Sequence, residues 1–259
     1  MSAQSGYISL HPSVVFVLTF VGLWLAAWLG ARYRRGRHFA PEQRQDFGLI
    51  LASTLTLLGL LIGFSFSMAA SRYDQRKNLE EAEANAIGTE YLRADLLDVP
   101  DRDKVREQLV RYVEQRIRYY TARQDDVAGI NAKTTQLQDA MWSTVSAAAK
   151  RRPDPVMALV AAGMNDVINS QGYTQAAWSN RIPISAVILM AAIAIGCNLL
   201  VGYGSPSVSS RSPLLAVLPL LVALALTLIA DIDTPRHGVI HVAPNNLTTL
   251  LESLKSSQR

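Results

Sequence analysis

Charge is what this chain has least of. Only 18% of its 259 residues are Asp, Glu, Lys or Arg, while 49% are hydrophobic, a low charge content for a water-soluble domain. Cysteine occurs once, at Cys197, so no internal disulfide can form and cysteine usage does not report the compartment. No Ser-His-Asp arrangement, glycine-rich phosphate loop or cysteine cluster is present. An enzymatic reading therefore has no residues to stand on, and no cofactor is expected. Alternating strand-like runs are missing apart from 239–242, as are internal repeats and low-complexity tracts. The net charge of +4 is spread among interleaved acids and bases, which argues against a nucleic-acid partner.

What is present is four uncharged windows, at 12–31, 47–71, 182–210 and 212–230. Each is of membrane-spanning length or near it, at about 1.5 Å rise per residue against a hydrocarbon core of roughly 30 Å. The first starts without a basic flank and does not read as a cleaved signal peptide. The second continues without a proline into SRYDQRKNLEEAEANAIGTEYLRADLL, so one long helix is expected to leave the bilayer and carry on in water. Its membrane half carries Gly59, Gly63, Ser65, Ser67, Ala69 and Ala70, a pattern for packing against other helices, and Gly59 to Gly63 is a small-xxx-small spacing. Charge barely orients the chain: Arg32, Arg34, Arg35, Arg37, Arg44 and Arg211 flank one side, and Arg72, Arg76, Lys77, Arg181 and Arg236 the other.

The polar insert, 72–181, reads as all helix. Asp101 or Asp103 is placed to cap a helix after Pro100, with Val105, Leu109, Val113, Ile117 and Tyr120 recurring at helical spacing. A loop is expected near 125–131. Leu137, Met141, Val145 and Ala148 mark a second amphipathic helix. Asp154-Pro155 starts a third, whose stripe is Met157, Val160, Ala161, Met164 and Val167. In the tail, 231–259, Pro235 and Gly238 force a turn, and Pro244-Asn245-Asn246 starts a short helix with Leu247, Leu250, Leu251 and Leu254 on one face. His237 and His241 have a helical metal-pair spacing, but the residues between them favour an extended segment that would hold the rings about 13 Å apart. No metal is assigned to them. Asp231 and Asp233 suit either an ion site with backbone carbonyls or, more ordinarily, a turn or an arginine pair.

The stretch LLIGFSFSMAASRYDQR, with Gly63-Phe64 followed by Arg72, resembles the second membrane helix of bestrophins. Ile232-Asp233-Thr234-Pro235, Gly238 and Asn245-Asn246-Leu247 are similar to the acidic-x-Pro segment and Asn-rich turn after their fourth helix. The layout of two helices, helical insert, two helices and Asp-x-Pro tail resembles the bacterial bestrophin-like family. The resemblance implies an all-α membrane protein with four transmembrane helices (about 13–31 and 47–71 within 1–71, and the third and fourth within 182–230) and a helical extramembrane domain. It implies a homo-oligomer, most simply a pentamer, in the bacterial inner membrane with the insert cytosolic. Lipids and small inorganic ions would be its other partners. It places a pore constriction at Thr56, Leu60 and Phe64 and a pore exit at Arg72 and Tyr73. The first three are spaced by four and share one helix face. Phe66 in place of Phe64 would slip that register by two. Arg72-Tyr73-Asp74 replaces an Arg-tryptophan exit, Arg236 replaces a Phe after the proline, and the acidic run that holds calcium in animal members is missing, so no calcium site is carried over. The function expected is a passive ion channel. The alternative is a non-conducting membrane sensor or scaffold whose helical domain binds a partner.

Overall fold

The computed structural model describes residues 11–34, 40–205, 213–236 and 238–256. Eight α-helices account for most of them, and no strand occurs among the described residues. The chain divides into two compact units, Met1–Ser71 with Arg181–Ile240, and Arg72–Asn180 with His241–Arg259.

The first unit holds α1 (Pro12–Tyr33), the apolar part of α2 (Pro41–Arg93), α6 (Ile184–Gly204) and α7 (Val217–Asp233). All four are long and apolar enough to cross a membrane. α1 packs on α6 and α7. The α1–α6 contact is backbone to backbone. A Cβ on Gly202 would meet the carbonyl of Ala27, and one on Gly30 would meet that of Leu199. Helices in lipid gain no hydrophobic drive from associating, so such close approach between small residues supplies the packing energy. Leu23, Leu58, Ala194, Cys197, Val222 and Ala223 form the core of this unit. Arg34 donates to the Tyr203 carbonyl at 2.7 Å, satisfying one of the orphan acceptors at the end of α6.

The second unit holds the rest of α2, α3 (Val99–Thr121), α4 (Val127–Arg151), α5 (Pro155–Ser179) and α8 (Asn245–Ser256). α3 packs on α4 and α8, and α4 on α5. The amphipathic stripes meet in one core that includes Val105, Leu109, Met141, Val145, Met164 and Leu247. Asp154 accepts a hydrogen bond from the Met157 amide at 2.8 Å, an N-cap ahead of Pro155.

Three local expectations are corrected. α3 begins at Val99 with Asp98 in the cap position, because Pro100 belongs inside the first turn, where its missing N–H costs nothing. Asp101 and Asp103 instead pair with Arg151 and Arg102. The loop placed at 125–131 is shorter: a single 3₁₀ turn, Gln124–Asp126, feeds directly into α4, so Asn131 is helical. Acids in that turn suit the positive end of the following helix. Finally, Val239 and Ile240 form bends rather than a strand, because their amides are bound by a side chain described below.

Candidate functional site

α2 presents different chemistry on different sides. In the apolar part, Leu58, Ser65 and Ala69 are buried, with Leu55 and Ile62 half-buried alongside them. These positions are three, four or seven apart and so form one face. Thr56, Leu60 and Phe64 lie on the opposite face, at about 100° per residue. Leu60 is 53% and Phe64 63% exposed. Thr56 is also exposed, and its hydroxyl donates to the Ala52 carbonyl at 2.9 Å. Gly59 and Gly63 are open, with no heavy atom within 4 Å of a Cβ built on either. The helical glycines of the first unit on which a Cβ would meet the backbone of another helix are Gly30 and Gly202. Phe66 is exposed as well, 43%. Only 6% of the apolar window of α2 is buried, against 28%, 22% and 28% for the other three candidate spans.

Arg72 and Tyr73 are half-buried. They fall toward the buried side of the helix, and Tyr73 packs against the core of the second unit.

Beyond Tyr73 the buried stripe of α2 turns polar. Arg76, Glu80, Glu83, Ile87 and Glu90, spaced four, three, four and three apart, are all at most 1% exposed. Arg76 donates to the carbonyls of Ala177 at 3.3 Å and Asn180 at 3.1 Å, closing the C-terminal end of α5 with a cation, as the helix dipole favours. Glu80 does the reverse for α8. It accepts from the Leu247 amide at 2.9 Å and the Asn246 side chain at 2.6 Å. Glu83 pairs with Arg116 and also accepts from Tyr120 and Thr174, each at 3.2 Å. Arg116 lies over the Tyr119 ring at 4.5 Å. Burial and the Glu83 carboxylate both push the Tyr120 phenol upward, so it stays a donor.

Glu90 differs. Neither carboxyl oxygen has a hydrogen-bond partner among the described residues. Desolvation raises its pKa from 4.5 to about 8, opposed by Arg93 and reinforced by Asp166. A Cβ on Gly163 of α5 would strike both Glu90 and Arg93. The signal for this stripe was in the sequence, as a charged heptad-like spacing. It was hidden because charged residues at such spacing usually mark a solvated face.

Asp231 and Asp233 act as turn clamps. Asp231 accepts from the amides of Val239 and Ile240, both at 2.9 Å, and Gly238 is needed because a Cβ there would press on Asp231 at 2.7 Å. Asp233 accepts from the Ile182 amide at 3.0 Å, fixing the entry to α6. His237 lies outside the described residues, as do Arg35, Arg37 and Arg211. His241 is exposed, and no group of three or more potential metal ligands occurs among the described residues.

A family model described as the Bestrophin-like domain matches residues 14–247. A comparison with curated proteins finds no match. Among solved structures, a bacterial bestrophin homologue from Klebsiella pneumoniae aligns at 12% identity and a TM-score of 0.66, over 94% of this chain and 97% of its own. A point variant of a bacterial bestrophin homologue from Klebsiella pneumoniae aligns at 13% identity, TM-score 0.66, with 94% and 97% coverage. A variant described as a membrane protein gives 12%, 0.67, 94% and 97%. At such identities the shared feature is the fold.

Proposed function

This chain belongs to the Bestrophin-like family, and we propose that it is an oligomeric channel passing small inorganic ions through a central pore lined by α2. Subunits close into a ring, five in number, in the bacterial inner membrane, with the 72–181 insert cytosolic. Thr56, Leu60 and Phe64 form the constriction. Arg72 and Tyr73 mark the level of the exit and flank the axis rather than face it. Gly59 and Gly63, open in the protomer, receive a helix of the neighbouring subunit.

One observation carries the reading. The span that buries least of itself against its own subunit turns Leu60 and Phe64 away from that subunit. A ring of such side chains makes a narrow apolar neck, which resists water and ions. The purified oligomer, recorded in a planar bilayer, tests this directly. Leu60→Ala combined with Phe64→Ala widens the neck and is expected to raise conductance severalfold with oligomer size unchanged. Thr56→Ala should do less, because its hydroxyl already tolerates water. Unchanged currents from an intact double-mutant oligomer would remove these residues from the path. A stable oligomer that never conducts would leave the scaffold function in its place.

A further inference from the structure

We infer that α1 holds an anionic phospholipid, with the lipid phosphate on Arg32 and an acyl chain along the outer stripe of the helix. The site lies within the membrane unit and is independent of ion conduction. α1 has two unlike faces. Leu23, Ala26, Ala27 and Gly30 are buried, and at about 100° per residue they fall between about 120° and about 180° from Arg32. Val14, Leu18, Val21 and Leu25 fall within about 40° of Arg32, and each is at least 42% exposed. Arg32 is exposed with them. The helix thus turns outward an aliphatic stripe that ends in one cation.

The build of that stripe selects its occupant. Helices in lipid associate through small residues that let backbones approach. α1 turns Ala26, Ala27 and Gly30 inward, and Gly30 faces the backbone of α6. The outward stripe is branched and bulky, which suits a fluid acyl chain and keeps another helix at a distance. Its length agrees. From Arg32 back to Val21 the helix covers about 16 Å at about 1.5 Å per residue. Half of a hydrocarbon core of roughly 30 Å is about 15 Å, so one leaflet fits between the cation and Val21.

Aromatic rings set the level of the headgroup. Tyr203 of α6 lies 6.3 Å from Tyr33 and 5.9 Å from Phe47 of α2, a cluster of the kind that marks a membrane–water boundary. The two arginines at this end of α1 do different things. Arg34 is 7% exposed, donates to the Tyr203 carbonyl and lies over the Tyr203 ring at 5.7 Å. Arg32 lies over the Trp28 ring at 5.5 Å. α1 contains no Asp or Glu, and Arg32 forms no ion pair among the described residues. The ring covers one face of the guanidinium and leaves its edge of N–H donors, a fork matched to phosphate oxygens. A headgroup with no cation of its own gains most from that fork, so the lipid is anionic rather than zwitterionic.

The experiment is native mass spectrometry of the detergent-purified protein, titrated with phosphatidylglycerol or with phosphatidylcholine of the same chains. Phosphatidylglycerol is expected to bind roughly fivefold more tightly, the worth of about one arginine at a membrane surface. Arg32→Gln should bring the two lipids level with the oligomer size unchanged. Trp28→Leu should lower the preference by roughly twofold, since the ring orients the cation. Arg44→Gln removes an exposed cation near the start of α2 and should leave the preference as it is. In the parent protein, phosphatidylglycerol brominated along its chains should quench the α1 tryptophans at a lower lipid fraction than brominated phosphatidylcholine. Equal binding or equal quenching by the two lipids overturns the proposal. A preference that survives Arg32→Gln overturns it too, as does one that Arg44→Gln abolishes equally, which is diffuse attraction to basic charge. If Arg32→Gln splits the oligomer, a second copy of the chain covers the stripe in place of the lipid, and the proposal falls.

Discussion

The two parts of α2 bury opposite chemistries. Up to Ala69 the buried face is Leu58, Ser65 and Ala69, small or apolar. From Arg76 it is Arg76, Glu80, Glu83 and Glu90. The apolar part sits in a unit whose tightest contact is glycine against backbone, at Gly30 and Gly202. The polar part sits in a unit with a large hydrophobic core, where Arg76, Glu80 and Glu83 each have a specific partner. The difference follows from the solvent. Lipid offers no hydrophobic gain, so contact must come from close fit. In water the hydrophobic core supplies the drive to fold, and each buried ion then specifies which helix end goes where. Arg76 meets a C-terminal end, Glu80 meets an N-terminal end, and Glu83 meets a cation.

The largest break in that comparison is Arg116→Ala. It leaves the Glu83 carboxylate buried with only Tyr120 and Thr174 as donors, and an uncompensated buried charge costs about 3–5 kcal/mol. Loss of the folded helical domain, followed by thermal unfolding of the detergent-purified protein, is expected. Replacing both partners, Arg116→Met with Glu83→Leu, should be far milder, because no charge is stranded. Equal damage from the double replacement would mean that packing, not charge pairing, holds this corner.

Much of the architecture was legible before the structure. Long uncharged windows fix membrane-length helices by arithmetic, and the Asp154-Pro155 start and the α3 to α5 stripes follow from capping and periodicity. Less legible was what each polar residue does. Asp231 and Asp233 read more ordinarily as turn or arginine-pair acids than as ion ligands, and which backbone groups they bind, the Ile182, Val239 and Ile240 amides, could not be read from the sequence. The glycine pairs show the same limit. Gly59 and Gly63 have the recognisable spacing, while Gly30 and Gly202, far apart in sequence, have none and still approach the backbone of another helix. The proposed constriction residues Thr56, Leu60 and Phe64 came from family resemblance and a shared helix face, and all three are exposed.

Glu90 sharpens the comparison from the polar side, since it is the member of the stripe without a hydrogen-bond partner. Its folded-state pKa of about 8 lies above the ordinary 4.5, so the folded protein keeps a proton that the unfolded chain releases. Its contribution to stability is fully present below about 4.5, falls as pH rises between the two values, and is gone above about 8. Glu90→Gln removes the titration. The parent should therefore lose on the order of a few kcal/mol between pH 5 and pH 8 relative to the variant. Parallel pH profiles of unfolding for the two proteins would show that Glu90 is ionised and solvated throughout.

The smallest effects separate the two glycine pairs. Gly202→Ala puts a methyl group against the Ala27 carbonyl, with the Ala31 amide nitrogen at 3.0 Å. Both obstacles are backbone, so the helices α1 and α6 must part, at an overpacking cost of about 1–3 kcal/mol. Gly59→Ala adds the same methyl group to a helix with nothing within 4 Å. In the isolated protomer it should be neutral or slightly stabilising, since alanine favours a helix over glycine by up to about 1 kcal/mol. Melting a dispersed protomer and the assembled oligomer side by side reads both predictions. If a neighbouring subunit closes on this face, Gly59→Ala should be harmless to the protomer and shift the oligomer toward dissociation. If the oligomer gains from it as the protomer does, then Gly59 faces lipid or water, and the contact between subunits must be sought on another face of α2.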